Sequence, residues 1–307
     1  MARALLRVAA LVVVAGRRVP GAHMHMMCES DGTCHEHATV ASPRTETTNY
    51  RQDEALWFHF HAQLVEEAAA YAPSRTPLVL VGDSITESWR GTSYGQPTAR
   101  ATGTPEVLAA TFGQRFDPMV LAISGDQTQH VLYRLRNGEA PAKGAIFVLL
   151  IGTNNLGNGH LPGEAADGVL AVVEELAALG KVVVLAILPR GDVRRLKALC
   201  PPRCARDGTP FESWTPAVDK ANAKIAAALE SEAGFGRRGA ATRAPQKLRS
   251  TRVEFVSCND KFLLGNGSVD DALMPDRLHP NAIGMRLLAD CALNRSAFLR
   301  AAAVEVR

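Results

Sequence analysis

Residues 78–85 read Leu78-Val79-Leu80-Val81-Gly82-Asp83-Ser84-Ile85. Four consecutive aliphatic residues leave no polar face, which predicts a strand buried on both sides, as in parallel sheets covered by helices. The Gly-Asp-Ser that follows is turn chemistry, and it sets a hydroxyl where the strand gives way to a helix. Upstream, Trp57, Phe60, Leu64, Ala68 and Tyr71 recur at three- and four-residue spacing, an amphipathic helix. Downstream, further apolar runs occupy Met119–Ile123, Ile146–Ile151, Val182–Leu188 and Val253–Val256. Between them lie helical stretches at Gln129–Arg136, Glu164–Leu179, Ala217–Glu230 and Ala282–Leu293. Strand and helix alternate, so the fold class is α/β: a doubly wound, three-layer α/β/α sandwich on a five-stranded parallel sheet.

At about 150 residues per domain, 307 residues suggest two domains or one large one. The pattern above favours one, spanning residues 46–307, with inserted loops near 90–113, 192–214 and 235–252. Hydrophobic residues make up 47% and charged residues 21%, an ordinary globular composition that excludes collagen, coiled coils and disordered tails. A net charge of +3 gives no electrostatic reason to expect a nucleic-acid partner. No apolar run reaches the roughly 18 residues of a membrane-spanning helix. The total nevertheless averages away a stretch from Arg237 to Arg252 with six basic residues and no acid, read as a solvated loop.

The N-terminus differs. Val8 to Gly16 is an apolar run behind Arg3 and Arg7, and the first acid is Glu29. This fits a secretory signal peptide cleaved after Val14-Ala15-Gly16; Arg17 and Arg18 also suit an organelle transit peptide. Residues 1–45 are therefore expected to be a leader and flexible segment. Of six cysteines, Cys28 with Cys34 and Cys200 with Cys204 are natural local pairs in an oxidising compartment, whereas Cys258 and Cys291, in apolar surroundings, read as buried thiols. His23 to His37 holds four histidines and two cysteines, but no regular spacing defines a metal site. Asn266-Gly267-Ser268 and Asn294-Arg295-Ser296 match the glycosylation pattern, a triplet common by chance.

Functional groups of open α/β sheets gather at the carboxyl ends of the strands. There the sequence places Ser84, then Ser124-Gly125-Asp126, then Gly152-Thr153-Asn154-Asn155, and before the last helix Asp276-Arg277-Leu278-His279. Each piece alone is turn or cap chemistry. Together they make an acyl-transfer site: Ser84 as nucleophile, His279 as its base, and Asp276 fixing the imidazole tautomer. The backbone N–H groups of Ser84 and Gly125 and the side-chain amide of Asn154 would form an oxyanion hole. Such chemistry needs no metal or organic cofactor. Asp83 and Asp126 read as turn organisers, Asn155 as a supporting hydrogen-bonding residue, and His61 and His130 as packed or surface histidines rather than a general base.

Ser84, Gly125, Asn154 and the Asp276/His279 pair, in this order, resemble the SGNH (GDSL) hydrolase superfamily, which implies its flavodoxin-like sandwich. Gly125 to Glu139, Gly152-Thr153-Asn154-Asn155, Leu188-Pro189-Arg190-Gly191, and the helix carrying Trp57, His61 and Val65 resemble the catalytic subunits of platelet-activating-factor acetylhydrolase Ib. The similarity runs from about Trp57 to Leu293. It implies an acyl pocket at Ile85, Thr153 and Leu278, small enough to favour acetyl, and subunits that form homodimers. It does not extend to the loops that build the alcohol side.

The expected function is thus a serine esterase cleaving a small ester through an acyl-enzyme. A carbohydrate acetylesterase of the same superfamily is the alternative enzyme. A catalytically silent subunit that docks to a partner is the alternative of another class, and retention of all the catalytic residues argues against it.

Overall fold

The computed structural model describes residues 26–28, 34–44, 54–140, 144–230 and 252–304. Its strands are β1 (Met26–Cys28), β2 (Cys34–Glu36), β3 (Pro77–Gly82), β4 (Thr92–Ser93), β5 (Gln96–Pro97), β6 (Asp117–Ala122), β7 (Ile146–Leu150), β8 (Lys181–Leu185) and β9 (Val253–Val256). The helices are α1 (Glu54–Ala70), α2 (Ser84–Glu87), α3 (Thr104–Ala110), α4 (Thr128–Arg136), α5 (Thr153–Gly157), α6 (Pro162–Ala177), α7 (Val193–Lys197), α8 (Thr215–Glu230), α9 (Ala282–Arg295) and α10 (Ala297–Val304). Every strand and helix expected from the periodicity is present, with ends shifted by at most three residues.

Five strands form one sheet in the order β6-β3-β7-β8-β9, all neighbours parallel. Alternate residues of each strand face opposite ways, so a strand apolar throughout feeds two cores. Val79, Val81, Phe147, Leu149, Val182 and Val184 pack with α1, α4, α6 and α8 residues such as Trp57, Val131, Val172 and Val218. Leu78, Leu80, Val148, Leu150 and Val183 pack with Trp89, Phe112, Met285 and Leu288 on the other face. The chain steps from β3 outward to β6 and then back across to β7. Strand order therefore reverses at β3, and the carboxyl ends of β6, β3 and β7 flank a crevice where such sheets carry their sites.

Three expectations need revision. The body begins well before residue 46: His35, Glu36, Ala38 and Arg44 are buried against α4 and its surroundings, so residues 34–44 are an integral strap rather than a flexible leader. Its docking groups are polar, which is why no hydrophobic pattern announced it. Cys258 and Cys291 are not thiols but a disulfide with Cα atoms 6.0 Å apart; apolar burial and disulfide geometry coexist where α9 crosses the end of β9. The 90–113 insertion is not bare loop, because it folds into the β4–β5 hairpin and α3.

Cys200 and Cys204 are bonded as expected, and the β1–β2 register sets Cys28 opposite Cys34. The leader up to residue 25 and nearly all of the basic stretch 235–252 lie outside the described residues. No helix among the described residues is long and apolar enough to cross a membrane.

Candidate active site

Ser84 is the first residue of α2, directly past the end of β3. Gly82 is required there: a methyl group on it would stand 2.2 Å from Leu150 O of the neighbouring strand. Asp83 caps α2 by accepting from Ile85 N at 3.0 Å. The hydroxyl of Ser84 is thereby fixed at the mouth of the crevice, with the residue 5% exposed.

The partner arrives from 195 residues away in sequence. Ser84 Oγ lies 2.8 Å from His279 Nε2, and His279 Nδ1 lies 2.6 Å from Asp276 Oδ2. An acceptor at Nδ1 fixes the tautomer: Nδ1–H donates to the carboxylate and Nε2 is left to accept from the serine. Asp276 Oδ1 also accepts from the backbone N–H groups of Leu278 (3.0 Å) and His279 (2.7 Å). This fold-back demands a left-handed residue in the middle, and Arg277 supplies it at φ +60°. Partial burial pushes the Asp276 carboxyl up, but the His279 ring and these backbone donors outweigh it and hold the group well below the usual carboxylate range. Although its side chain is half-exposed, Asp276 stays ionised beside the imidazole.

Gly125 follows β6 with φ +80°. Neither its N–H nor that of Ser84 donates to an acceptor among the described residues. Asn154 Nδ2 donates to Asp126 O at 3.0 Å, which fixes the amide and leaves its second hydrogen for another acceptor. Glu87, fully buried one turn past Ser84, ties this wall together. Its Oε2 accepts from Ser124 N (2.7 Å) and Ser124 Oγ (2.6 Å), its Oε1 from Gly95 N (2.9 Å) and Thr92 Oγ1 (2.8 Å).

Behind the crevice, the segments singled out by sequence form one buried network. Asp126 accepts from Trp57 Nε1 and from Arg134 Nε, each at 2.7 Å. Arg134 also reaches Glu139 and Gly82 O, and His61 Nδ1 meets Glu139 Oε1 at 2.6 Å. Burial pushes the Arg134 guanidinium down, but Glu139 and Asp126 outweigh it and raise it. Asp126 and His61 are thus packed groups in this network, outside the Ser84–His279–Asp276 line. His130 is one too, with Nδ1 accepting from Gln127 N and Nε2 donating to Glu36. Asn155 Oδ1 accepts from Thr128 N, the supporting role expected of it. Arg190 donates to Thr153 O (2.7 Å), and Gly191 N donates to Arg277 O (2.8 Å). The Leu-Pro-Arg-Gly segment therefore braces the loops of both Asn154 and His279.

Of the residues expected to line an acyl pocket, Ile85 and Thr153 are buried and Leu278 is half-buried. Sequence reasoning did not single out Glu87 or Arg44. Glu87 carried a signal, an acid one helical turn from the serine; Arg44 carried none. No cluster of metal-ligating residues occurs among the described residues, and His23 and His25 lie outside them.

A hydroxyl, an imidazole and a carboxylate are thus hydrogen-bonded in line, beside backbone donors at the switch point of a parallel sheet, an arrangement in which the imidazole can take the hydroxyl proton. Residues 80–287 match the model of the GDSL-like Lipase/Acylhydrolase family, and the chain belongs to that family. It is 31% identical over 151 residues to the platelet-activating factor acetylhydrolase IB subunit alpha1 of Bos taurus, covering 46% of this chain and 54% of that protein. To the alpha2 subunit of Gallus gallus it is 45% identical over 74 residues, 23% of this chain and 31% of that one. The chain thus spans about half the length of the curated relatives it matches. A GDSL-like lipase structure from Bacteroides thetaiotaomicron superposes with TM-score 0.51 at 17% identity, over 80% of this chain and 98% of that one, and so shares the fold.

Proposed function

We propose that the protein is a serine esterase that removes short acyl groups, acetyl first, through an acyl-enzyme. The observation that carries this reading is the continuous line Ser84 Oγ–His279 Nε2–Nδ1–Asp276 Oδ2, at 2.8 and 2.6 Å. Ser84 Oγ attacks the ester carbonyl while its proton passes to His279 Nε2. The negative charge that develops on the carbonyl oxygen is met by the N–H groups of Ser84, Gly125 and Asn154. As the ester C–O bond breaks, the imidazolium returns the proton to the leaving alkoxide. Water then attacks the acyl-serine by the same route, and carboxylate and free serine result. Asp276 stays ionised throughout and stabilises the imidazolium.

The name of the mammalian and avian relatives supports acetyl as the acyl group, and the burial of Ile85 and Thr153 agrees with a short chain. Two disulfides among the described residues support passage through an oxidising compartment. The purified protein is expected to hydrolyse p-nitrophenyl acetate, and Ser84→Ala to abolish this activity and labelling by a fluorophosphonate probe. Undiminished turnover in that variant refutes the assignment. Relative turnover of a short-chain acetylated phospholipid and an acetylated saccharide then defines the alcohol half.

A further inference from the structure

The strap at residues 34–44 ends against Gly125. Its docking is specific: Thr128 Oγ1 donates to Ala38 O (2.7 Å), Ser42 N to Gln129 O (3.2 Å), and Gln129 Nε2 to Glu36 Oε2 (3.0 Å). His130 donates to the same carboxylate, and His160 Nε2 lies 2.7 Å from Glu36 O. All of these partners belong to, or flank, the segment that starts at Gly125 and the loop that holds Asn154. The strap is thus registered against the two loops that carry the proposed oxyanion donors.

Arg44 is the residue this registration delivers. It is 0% exposed, and its guanidinium lies against the open face of Gly125: a methyl group on that glycine would stand 2.1 Å from Nη2 and 3.2 Å from Cζ. Arg44 Nη1 donates to Tyr94 OH, and the cation also sits 5.4 Å from the centre of that ring. Tyr94 is itself held at φ +53° in the β4–β5 turn, whose next residue, Gly95, is anchored to Glu87. The strap therefore meets Gly125 through Arg44, and the 90–113 insertion holds Arg44 through Tyr94.

We propose that Arg44 is a positioning residue for the oxyanion hole. Packed on Gly125, its guanidinium fixes the backbone whose N–H faces the acyl oxygen. It also adds a permanent positive charge, shielded from water, where negative charge develops in the transition state. A charge so placed favours the tetrahedral state over the neutral ester, so it acts on kcat rather than on substrate binding. The strap is then part of the catalytic unit, and trimming the chain past residue 44 removes it. This inference rests on the proposed roles of Ser84 and Gly125.

The test compares Arg44→Met, Arg44→Gln and Arg44→Lys in the full chain, with Ser84→Ala measured in parallel. Readouts are kcat and KM on p-nitrophenyl acetate, the rate of fluorophosphonate labelling, and Tm. The two uncharged variants are expected to lose about 10- to 100-fold in kcat, somewhat less than loss of a direct oxyanion donor. KM should stay within about threefold, and Arg44→Lys should recover much of the loss. An uncharged variant that folds and keeps kcat within twofold overturns the proposal. So does a loss shared equally by the lysine variant and tracking Tm, or failure of both uncharged variants to fold, since each assigns Arg44 to stability alone. Full activity in Ser84→Ala removes the nucleophile assignment itself, a result separable from every Arg44 outcome.

Discussion

Asp83 and Asp276 both sit on the loops that flank the crevice, yet their surroundings push them in opposite directions. Asp276 is ringed by donors and stays ionised. Asp83 is fully buried; its Oδ1 caps α2, while its Oδ2 has no hydrogen-bond partner among the described residues. Burial pushes its carboxyl up to about 7, with the nearby Asp126 adding to the effect. The folded state therefore holds a proton on Asp83 that the unfolded chain, at an ordinary value near 4, releases. Stability from this group is fully present below pH 4 and is lost as pH rises toward 7. Asp83→Asn keeps an oxygen for Ile85 N and has no proton to lose. Its Tm, measured between pH 5 and 8, should fall less than that of the parent, with a gain of several degrees at pH 8. Parallel melting curves across that range would show the idea to be wrong.

Among the elements, the strands were legible because a strand covered on both faces has no choice but to be apolar, and each run met that demand. Ser84, Gly125, Asn154 and His279 were legible for a related reason: strand ends in such a sheet converge, so local turn residues can be read as one site. Elements held by polar contacts were not. The strap docks through His35, Glu36, Ser42 and Arg44, residue types with no period and no apolar face. The bond between Cys258 and Cys291 was hidden because a buried cysteine and a buried cystine sit in the same kind of surroundings. Helix α4 lies between the two cases. Its apolar positions were plain, but Arg134, 1% exposed, holds the carboxylates of Asp126 and Glu139 together behind the serine turn. Replacing it by Met leaves two buried acids without their counter-ion, a change that costs about 3–5 kcal/mol. Denaturant unfolding of Arg134→Met should register a loss of that order; a change under 1 kcal/mol contradicts the network.

At the scale of the whole molecule, the site joins residues from both ends of the α/β body. The serine stands near the start of the α/β body, the histidine just before its last long helix, and each needs the other within a hydrogen bond. Such a site can be assembled only when the first and last thirds of the chain have both docked. The disulfide from Cys258 to Cys291 bears on this, since residues 276 and 279 lie inside the covalent ring it closes. A ring spanning 33 residues restricts the unfolded chain by about 3–4 kcal/mol in the loop-entropy model. Replacing both cysteines by serine should lower Tm by several degrees and reduce esterase turnover; an unchanged Tm would show that the tether contributes nothing. The serine's half of the site needs no such link, being set at the end of β3, which is paired on both sides by β6 and β7. One half of the candidate site is therefore anchored by the sheet, and the other sits inside a covalent ring closed by a buried bond, so loss of that ring is expected to loosen His279 while leaving Ser84 in place.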